Sequence, residues 1–368
     1  MTVPAAPVVV RDLGAIEAEL ARLWQANAGP GGPGETRAVL RAATFNLVAI
    51  APTEQDSQAA AAVLAALMHD HPGRILILWG DPLAPEERLE AWVAMHCRAI
   101  GGGPQVCGEE VMISATGLAV ERLGGAVAAL LLPDCPTVAW WRGGPSPVAS
   151  LLDRIAPSLD ALLLDGAHFD LETLARWVDR PIPVGDLAWL HGVTWCSWTA
   201  DCFEPEELRP VLRELSDVRV DYGTGADLVA RLYVGWLAAR LGWQAEPGLA
   251  RAADGWRGQL RGPGGPVSVT LRAVGDGPAL TAVALASATA GVGCAITRQG
   301  PEAITLEVTR DGEVVQRRLI RQPEPDEAVL VGRWLERPRR DPLYAEALAT
   351  LIAMTGWLGS PDHGTARA

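Results

Sequence analysis

The chain has 368 residues, 49% hydrophobic and 20% charged, enough for about two domains of roughly 150 residues each. Its 44 acidic residues outnumber the 31 lysine-plus-arginine positions, and the net charge of −13 argues against nucleic acid or an anionic membrane as partner, since both reward positive surfaces. All 31 of those positions are arginine, which excludes P-loop nucleotide binding, Schiff-base chemistry and pyridoxal phosphate, each dependent on a lysine amine.

Residues 1–10 carry no basic region ahead of their short apolar stretch, so no secretory signal is expected. Apolar runs such as 124–133 fall far short of the roughly 20 residues a membrane helix needs. Leu13, Ile16, Leu20, Leu23 and Trp24 form a helical stripe over 12–25, and Gly29 to Gly34 reads as a Gly/Pro linker. From Ala42 short strands (45–50, 74–79, 110–114, 137–141, 161–164, 218–221) alternate with helices (54–68, 86–93, 117–132, 148–155, 169–178, 205–215, 226–241). Such alternation predicts an α/β domain with a mainly parallel sheet flanked by helices. Beyond Pro247 the segments 256–261, 267–274, 280–288, 293–298, 303–310 and 312–321 have strand length and are separated by glycine turns, Gly275-Asp276-Gly277 and Asp311-Gly312 among them. They predict an antiparallel sheet, followed by helices over 326–336 and 342–357. The expected organisation is an N-terminal helix and linker over 1–41, an α/β domain over 42–247, and a smaller α+β domain with two C-terminal helices over 248–368.

No coherent catalytic constellation emerges. Asp221-Tyr-Gly-Thr-Gly225 lies between strand and helix, where amides could hold a phosphate, but Leu228 stands where the dinucleotide fingerprint needs its third glycine, so a plain turn is the preferred reading. Gly101 to Pro104 reads as a loop. His69 and His71, the group His96, Cys97 and Cys107, and the group His191, Cys196 and Cys202 lack the paired C-x-x-C spacing of zinc sites, so no metal is expected. There is no G-x-S-x-G elbow. Cys107 is expected on a turn before a strand, and the six cysteines are expected to be reduced thiols of a cytoplasmic protein. Asp134, Asp165 and Asp170 fit capping positions. The 14 tryptophans are in excess over three tyrosines and three phenylalanines; most are expected in the core, the rest at a partner surface. Trp140 and Trp141 are adjacent on a strand and point to opposite faces; either both are buried or one projects near the carboxyl edge of the sheet.

Several separated motifs carry a family pattern in order: His71-Pro-Gly-Arg74 before a strand, Val106-Cys-Gly-Glu109, Leu132-Pro-Asp-Cys-Pro136 running into Trp140-Trp141, and Asp186-Leu-Ala-Trp189. They continue with 235–243 and with Arg333-Trp-Leu-Glu336 leading to 341–348. Together they resemble the OpcA family of glucose-6-phosphate dehydrogenase assembly proteins. The resemblance implies a non-catalytic protein that binds the dehydrogenase and favours its active oligomer in the pentose phosphate pathway; from the residues, no cofactor is expected. It marks Asp134, Pro136, Trp140 and Trp141, then His71, Arg74, Cys107 and Glu109, as partner-contact candidates, with a folding role preferred for the His71–Arg74 turn. The alternatives are a sugar-phosphate or nucleotide-binding enzyme using Trp141 and Asp134, and a thiol-switched sensor using Cys107 or Cys135.

Overall fold

The computed structural model describes residues 8–10, 13–27, 39–41, 43–68, 71–99, 105–144 and 149–355. The 29–34 linker, His69 and the 101–104 loop lie outside the described residues. Along the chain come β1 (Val8–Val10), α1 (Ile16–Asn27), β2 (Val39–Arg41), β3 (Asn46–Ile50), α2 (Glu54–Leu67), β4 (Arg74–Asp81), β5 (Arg88–Ala99), β6 (Gln105–Thr116), α3 (Leu123–Leu130), β7 (Thr137–Trp141), α4 (Ala149–Ile155) and β8 (Ala161–Leu164). Next are α5 (Leu171–Val178), β9 (Val184–Asp186), α6 (Leu187–Cys202), β10 (Asp217–Tyr222), α7 (Asp227–Leu241), β11 (Gln244–Ala252), β12 (Gly255–Gly262) and β13 (Gly265–Ala273). The rest are β14 (Leu280–Ser287), β15 (Val292–Arg298), β16 (Ala303–Arg310), β17 (Glu313–Arg321), α8 (Glu327–Glu336) and α9 (Pro342–Thr355). They form two compact units, Met1–Phe169 with Arg180–Gly185 and Asp326–Arg340, and Asp170–Asp179 with Asp186–Pro325 and Asp341–Ala368. None of the described helices is long and apolar enough to cross a membrane.

In the first unit the strand order is β1-β5-β6-β4-β3-β7-β8-β9, with β2 paired to β6. From β6 through β4, β3 and β7 to β8 the pairing is parallel, as expected from the strand–helix alternation. All residues of β3, β7 and β8 are buried, because a sheet covered on both faces needs strands that are apolar throughout. The 86–93 segment, expected as a short helix, is instead the start of β5, antiparallel to β6. Ala91, Val93 and Met95 are buried at alternate positions, the period of a strand and not of a helix. That hairpin sets Cys97 directly opposite Cys107, with Cα atoms 4.1 Å apart, and the two are disulfide-bonded. The expectation of six reduced thiols therefore fails for this pair, and Cys107 lies within β6, not on a turn; Cys135, Cys196, Cys202 and Cys294 are free. The helix expected over 117–132 begins as a 3₁₀ turn, Gly117–Arg122, before α3.

The second unit holds an eight-stranded sheet, β11-β12-β13-β10-β14-β15-β16-β17, antiparallel except where β10 runs parallel to β13. The 218–221 strand, expected among the crossover units, thus lies inside the second sheet. Its alternation explains this: Val218, Val220 and Tyr222 are buried while Asp217, Arg219 and Asp221 face outward, a pattern suited to a sheet covered on one face only. The helix expected over 205–215 is a 3₁₀ turn, Arg209–Arg213, because Pro210 lacks an amide donor and its ring would clash with an α-helical turn before it. The sequence pattern missed α6 altogether. Leu187, Trp189, Trp195, Cys196, Trp198 and Cys202 are buried on one broad side, and the opposite side mixes Leu190, Val193 and Ala200 with Ser197 and Asp201, so no polar stripe marks it.

Two helix starts in this unit hold each other. Asp186, fully buried, caps α6 by accepting from the Ala188 amide at 2.8 Å and also accepts from the Tyr344 hydroxyl at 2.7 Å. Asp341 caps α9 by accepting from the Leu343 amide at 2.9 Å and also accepts from Trp189 Nε1 at 2.8 Å. In each motif the acid caps its own helix, and the aromatic three residues on donates to the other helix's acid. Burial, and then the neighbouring Asp186, push the Tyr344 phenol well above the usual value of 10, and burial does the same to Tyr233. Both keep their protons in the folded state at pH values where the unfolded chain loses them, so their contribution to stability is complete below about pH 10 and falls above it. Urea unfolding is expected to show no loss from this source between about pH 8 and pH 10, and above about pH 10 a loss approaching 1.4 kcal/mol per pH unit for each tyrosine. Tyr344→Phe removes that tyrosine's share of the slope and costs about 1–3 kcal/mol at neutral pH, because buried Asp186 loses a donor.

Candidate functional site

The first sheet gathers most of the expected site residues at its amino edge. Arg74 opens β4, directly opposite Glu109 in β6, and both are about 2% exposed. Arg74 Nε donates to Glu109 Oε2 at 2.7 Å, and Nη1 donates to the Leu130 carbonyl at 2.7 Å and to the Glu17 carboxylate. Trp24 Nε1 donates to the other Glu109 oxygen at 2.5 Å. Burial alone would pull the guanidinium down, yet its hydrogen bond to Glu17 and the attraction and hydrogen bond of Glu109 leave it above the ordinary arginine value.

The turn before β4 is shaped by close approach. A Cβ on Gly73 would lie 2.5 Å from the Phe45 carbonyl oxygen, and the Arg74 amide donates to that oxygen at 3.1 Å. His71 is half-buried with its ring edge-on to Phe45, centroids 6.5 Å apart. Next to Phe45, fully buried Asn46 holds the neighbouring turn from below. Its Nδ2 donates to the Leu132 carbonyl at 3.0 Å and the Cys135 carbonyl at 3.3 Å, and its Oδ1 accepts from the Leu132 amide at 2.8 Å. Cys135 Sγ lies 3.5 Å from the Ala43 carbonyl. On this support Asp134 is exposed in a left-handed conformation with φ of 62°, and Pro136 is exposed beside it. An aspartate in that backbone region is less costly than most side chains but still disfavoured relative to glycine.

Trp140 and Trp141 lie apart from this group, at the other end of β7. Both are buried, at 0% and 5% exposure, so the projecting alternative does not hold. Trp141 packs edge-on against Phe169 with centroids 4.9 Å apart and donates to the Gly144 carbonyl at 3.2 Å. Of the tryptophan surplus, Trp140, Trp141, Trp177, Trp189, Trp195, Trp198, Trp243 and Trp334 are core residues. Among the eight candidates, then, Arg74, Cys107, Glu109, Trp140 and Trp141 are internal, His71 is half-buried, and Asp134 and Pro136 reach the surface.

The loose histidine–cysteine groups resolve into other interactions. His96 Nε2 is 3.0 Å from Glu110 Oε2 next to the Cys97–Cys107 bond, while Cys196 and Cys202 are buried. Among the described residues no group of three or more His, Cys, Asp or Glu is placed to hold a metal. Asp221, at the glycine turn before α7, pairs with Arg272 at 2.7 Å.

Residues 64–177 match the family model described as the glucose-6-phosphate dehydrogenase subunit N-terminal domain, and residues 182–348 match its C-terminal counterpart. The chain belongs to the OpcA family. An OxPP cycle protein OpcA of Nostoc punctiforme is 34% identical over 182 residues, covering 47% of this chain and 39% of the relative. The protein of the same name from Synechocystis is 27% identical over 307 residues, covering 77% of this chain and 64% of the relative. The matched regions span 39% and 64% of these relatives' length, in both cases less than two thirds. Among solved structures, the transcriptional regulator Gal80p of Kluyveromyces lactis gives a TM-score of 0.45 at 9% identity, over 83% of this chain and 87% of that one. An oxidoreductase of Sinorhizobium meliloti gives 0.41 at 12%, over 83% and 86%. Likenesses this weak establish neither fold nor activity.

In this OpcA-family chain, sequence reasoning missed Glu17, Trp24 and Asn46, although an asparagine opening the apolar run 46–50 was a visible signal. Removing one member of the Arg74–Glu109 pair leaves the other charge buried. Arg74→Ala and Glu109→Ala are each expected to cost about 3–5 kcal/mol in urea unfolding. The Arg74→Met, Glu109→Leu double variant is expected to recover most of that loss, because neither charge then needs a partner.

Proposed function

We propose that this OpcA-family chain is a non-catalytic partner of glucose-6-phosphate dehydrogenase that binds the enzyme and favours its active oligomer. The observation that carries the reading is the pair of family models, both described by that dehydrogenase, matched in order over 64–177 and 182–348. An activator of this kind works by binding the active form more tightly than the inactive one, and each tenfold of preference shifts the equilibrium by about 1.4 kcal/mol.

The turn carrying Asp134 and Pro136 is the contact this reading favours. Its exposed residues rest on buried Asn46, so little ordering entropy is lost when a partner docks. With a net charge of −13, the chain suits a basic patch on the dehydrogenase, and association is expected to slow as salt rises.

Mixing the purified chain with its cognate dehydrogenase at micromolar concentration is expected to give co-elution and a rise in dehydrogenase activity, with no turnover by the chain alone. Failure to co-elute, together with unchanged activity, refutes the reading. Asp134→Gly relieves the left-handed strain and is expected to hold or raise stability by up to about 0.5 kcal/mol. The same substitution is expected to weaken binding about tenfold; unchanged affinity removes this turn from the interface.

A further inference from the structure

Counted in chain order, the parallel strands β6-β4-β3-β7-β8 read 3-2-1-4-5, and the order reverses between β3 and β7. Sheets of this topology hold a dinucleotide in the crevice outside the carboxyl ends of those two strands. The pyrophosphate lies on a glycine-rich turn and the N-terminus of the first helix, and an acid at the end of the second strand takes the ribose. The residues at this place do not fit that group.

After β3 the turn is Ala51-Pro52-Thr53, without glycine, and α2 opens with Glu54 and Asp56 in its first turn. The Thr53 hydroxyl already accepts from the Asp56 amide at 3.1 Å and donates to the Asp56 carboxylate at 2.6 Å. The helix start is therefore capped by its own side chain, and two carboxylates stand where a pyrophosphate would bring its charge. Across the reversal, Gly143 has φ of 75°, and a Cβ there would lie 3.0 Å from the Pro52 ring, so the two loops meet directly.

Between them stands Arg142. It follows β7, and its amide donates to the Ile50 carbonyl at 3.0 Å. Its guanidinium forks onto Glu327 through Nε–Oε1 at 3.1 Å and Nη2–Oε2 at 3.2 Å, and Nη1 donates to Asp56 at 3.0 Å. Glu327 lies in the first turn of α8, and α8 packs on α2, with Gly332 close against Leu67. The arginine fork accepts carboxylate and phosphate in the same bidentate geometry. One element of a nucleotide site persists: Asp81 ends β4, with Oδ1 accepting from the Leu83 amide at 2.9 Å.

We propose that α8 is an internal plug of this crevice: the Glu327 carboxylate, with Asp56, holds Arg142 where an anionic ligand would bind, and the chain takes no dinucleotide there. The scaffold's ligand edge has become a packing surface for its own helix. Isothermal titration of the full chain with NAD⁺, NADP⁺ and FAD is expected to give no binding below millimolar concentration. Glu327→Gln removes the charge that holds Arg142 while keeping the side-chain shape. With inorganic pyrophosphate as probe, this variant is expected to gain about tenfold in affinity over the wild-type chain, and adding Arg142→Gln is expected to abolish the gain. Submillimolar binding of any of the three dinucleotides to the wild-type chain overturns the proposal, as does a pyrophosphate affinity unchanged by Glu327→Gln. Should Glu327→Gln fail to fold, the wild-type titration decides the question by itself.

Discussion

A guanidinium only 2% exposed has to be answered where it stands, and the answer to Arg74 organises the first unit. Desolvating an arginine costs several kcal/mol, which only close anions and carbonyls recover. Glu109 reaches it because β4 and β6 pair in that register, Leu130 because α3 ends there, and Glu17 because α1 lies across the amino edge. Trp24 then satisfies the remaining Glu109 oxygen. One buried charge thus ties two strands and two helices to a single arrangement, and a slip of β4 against β6 separates Arg74 from Glu109 in the core.

The second unit meets the same physical demand with a neutral donor opposite each acid. Asp186 and Asp341 serve as helix caps and as acceptors for an aromatic donor of the other helix. Capping alone satisfies amides at a helix start. Capping combined with a cross-helix acceptor also fixes where α6 and α9 meet, because buried Asp186 has to keep both of its donors.

The two ends of the first sheet have opposite characters. At the amino edge a rigid support presents Asp134 and Pro136 to solvent, and the buried candidates beneath them act through packing and ion pairing. At the carboxyl edge, where this topology ordinarily receives a ligand, Arg142, Asp56 and Glu327 satisfy one another. In the proposed reading, the ligand edge is spent on the chain's own helix, and the preorganised turn at the other end is the surface a partner meets.

Periodicity and composition by themselves determined the mainly parallel first sheet, the mostly antiparallel second one and most of the elements between them, though not β5 or α6, because apolar repeats of two and 3.6 residues report which faces are buried. The ordered motifs were enough to identify the family. Tertiary structure alone decided which residues met. Arg74 and Glu109 are 35 positions apart, Asp186 and Tyr344 are 158 apart, and Arg142 and Glu327 are 185 apart. Cys97 and Cys107 became partners only once 88–99 paired as a strand, and β10 found its sheet through neighbours far along the chain. Local pattern records the burial of a face, whereas a charge buried in the core is satisfied by whichever strand or helix the fold brings beside it, and no local spacing encodes that neighbour.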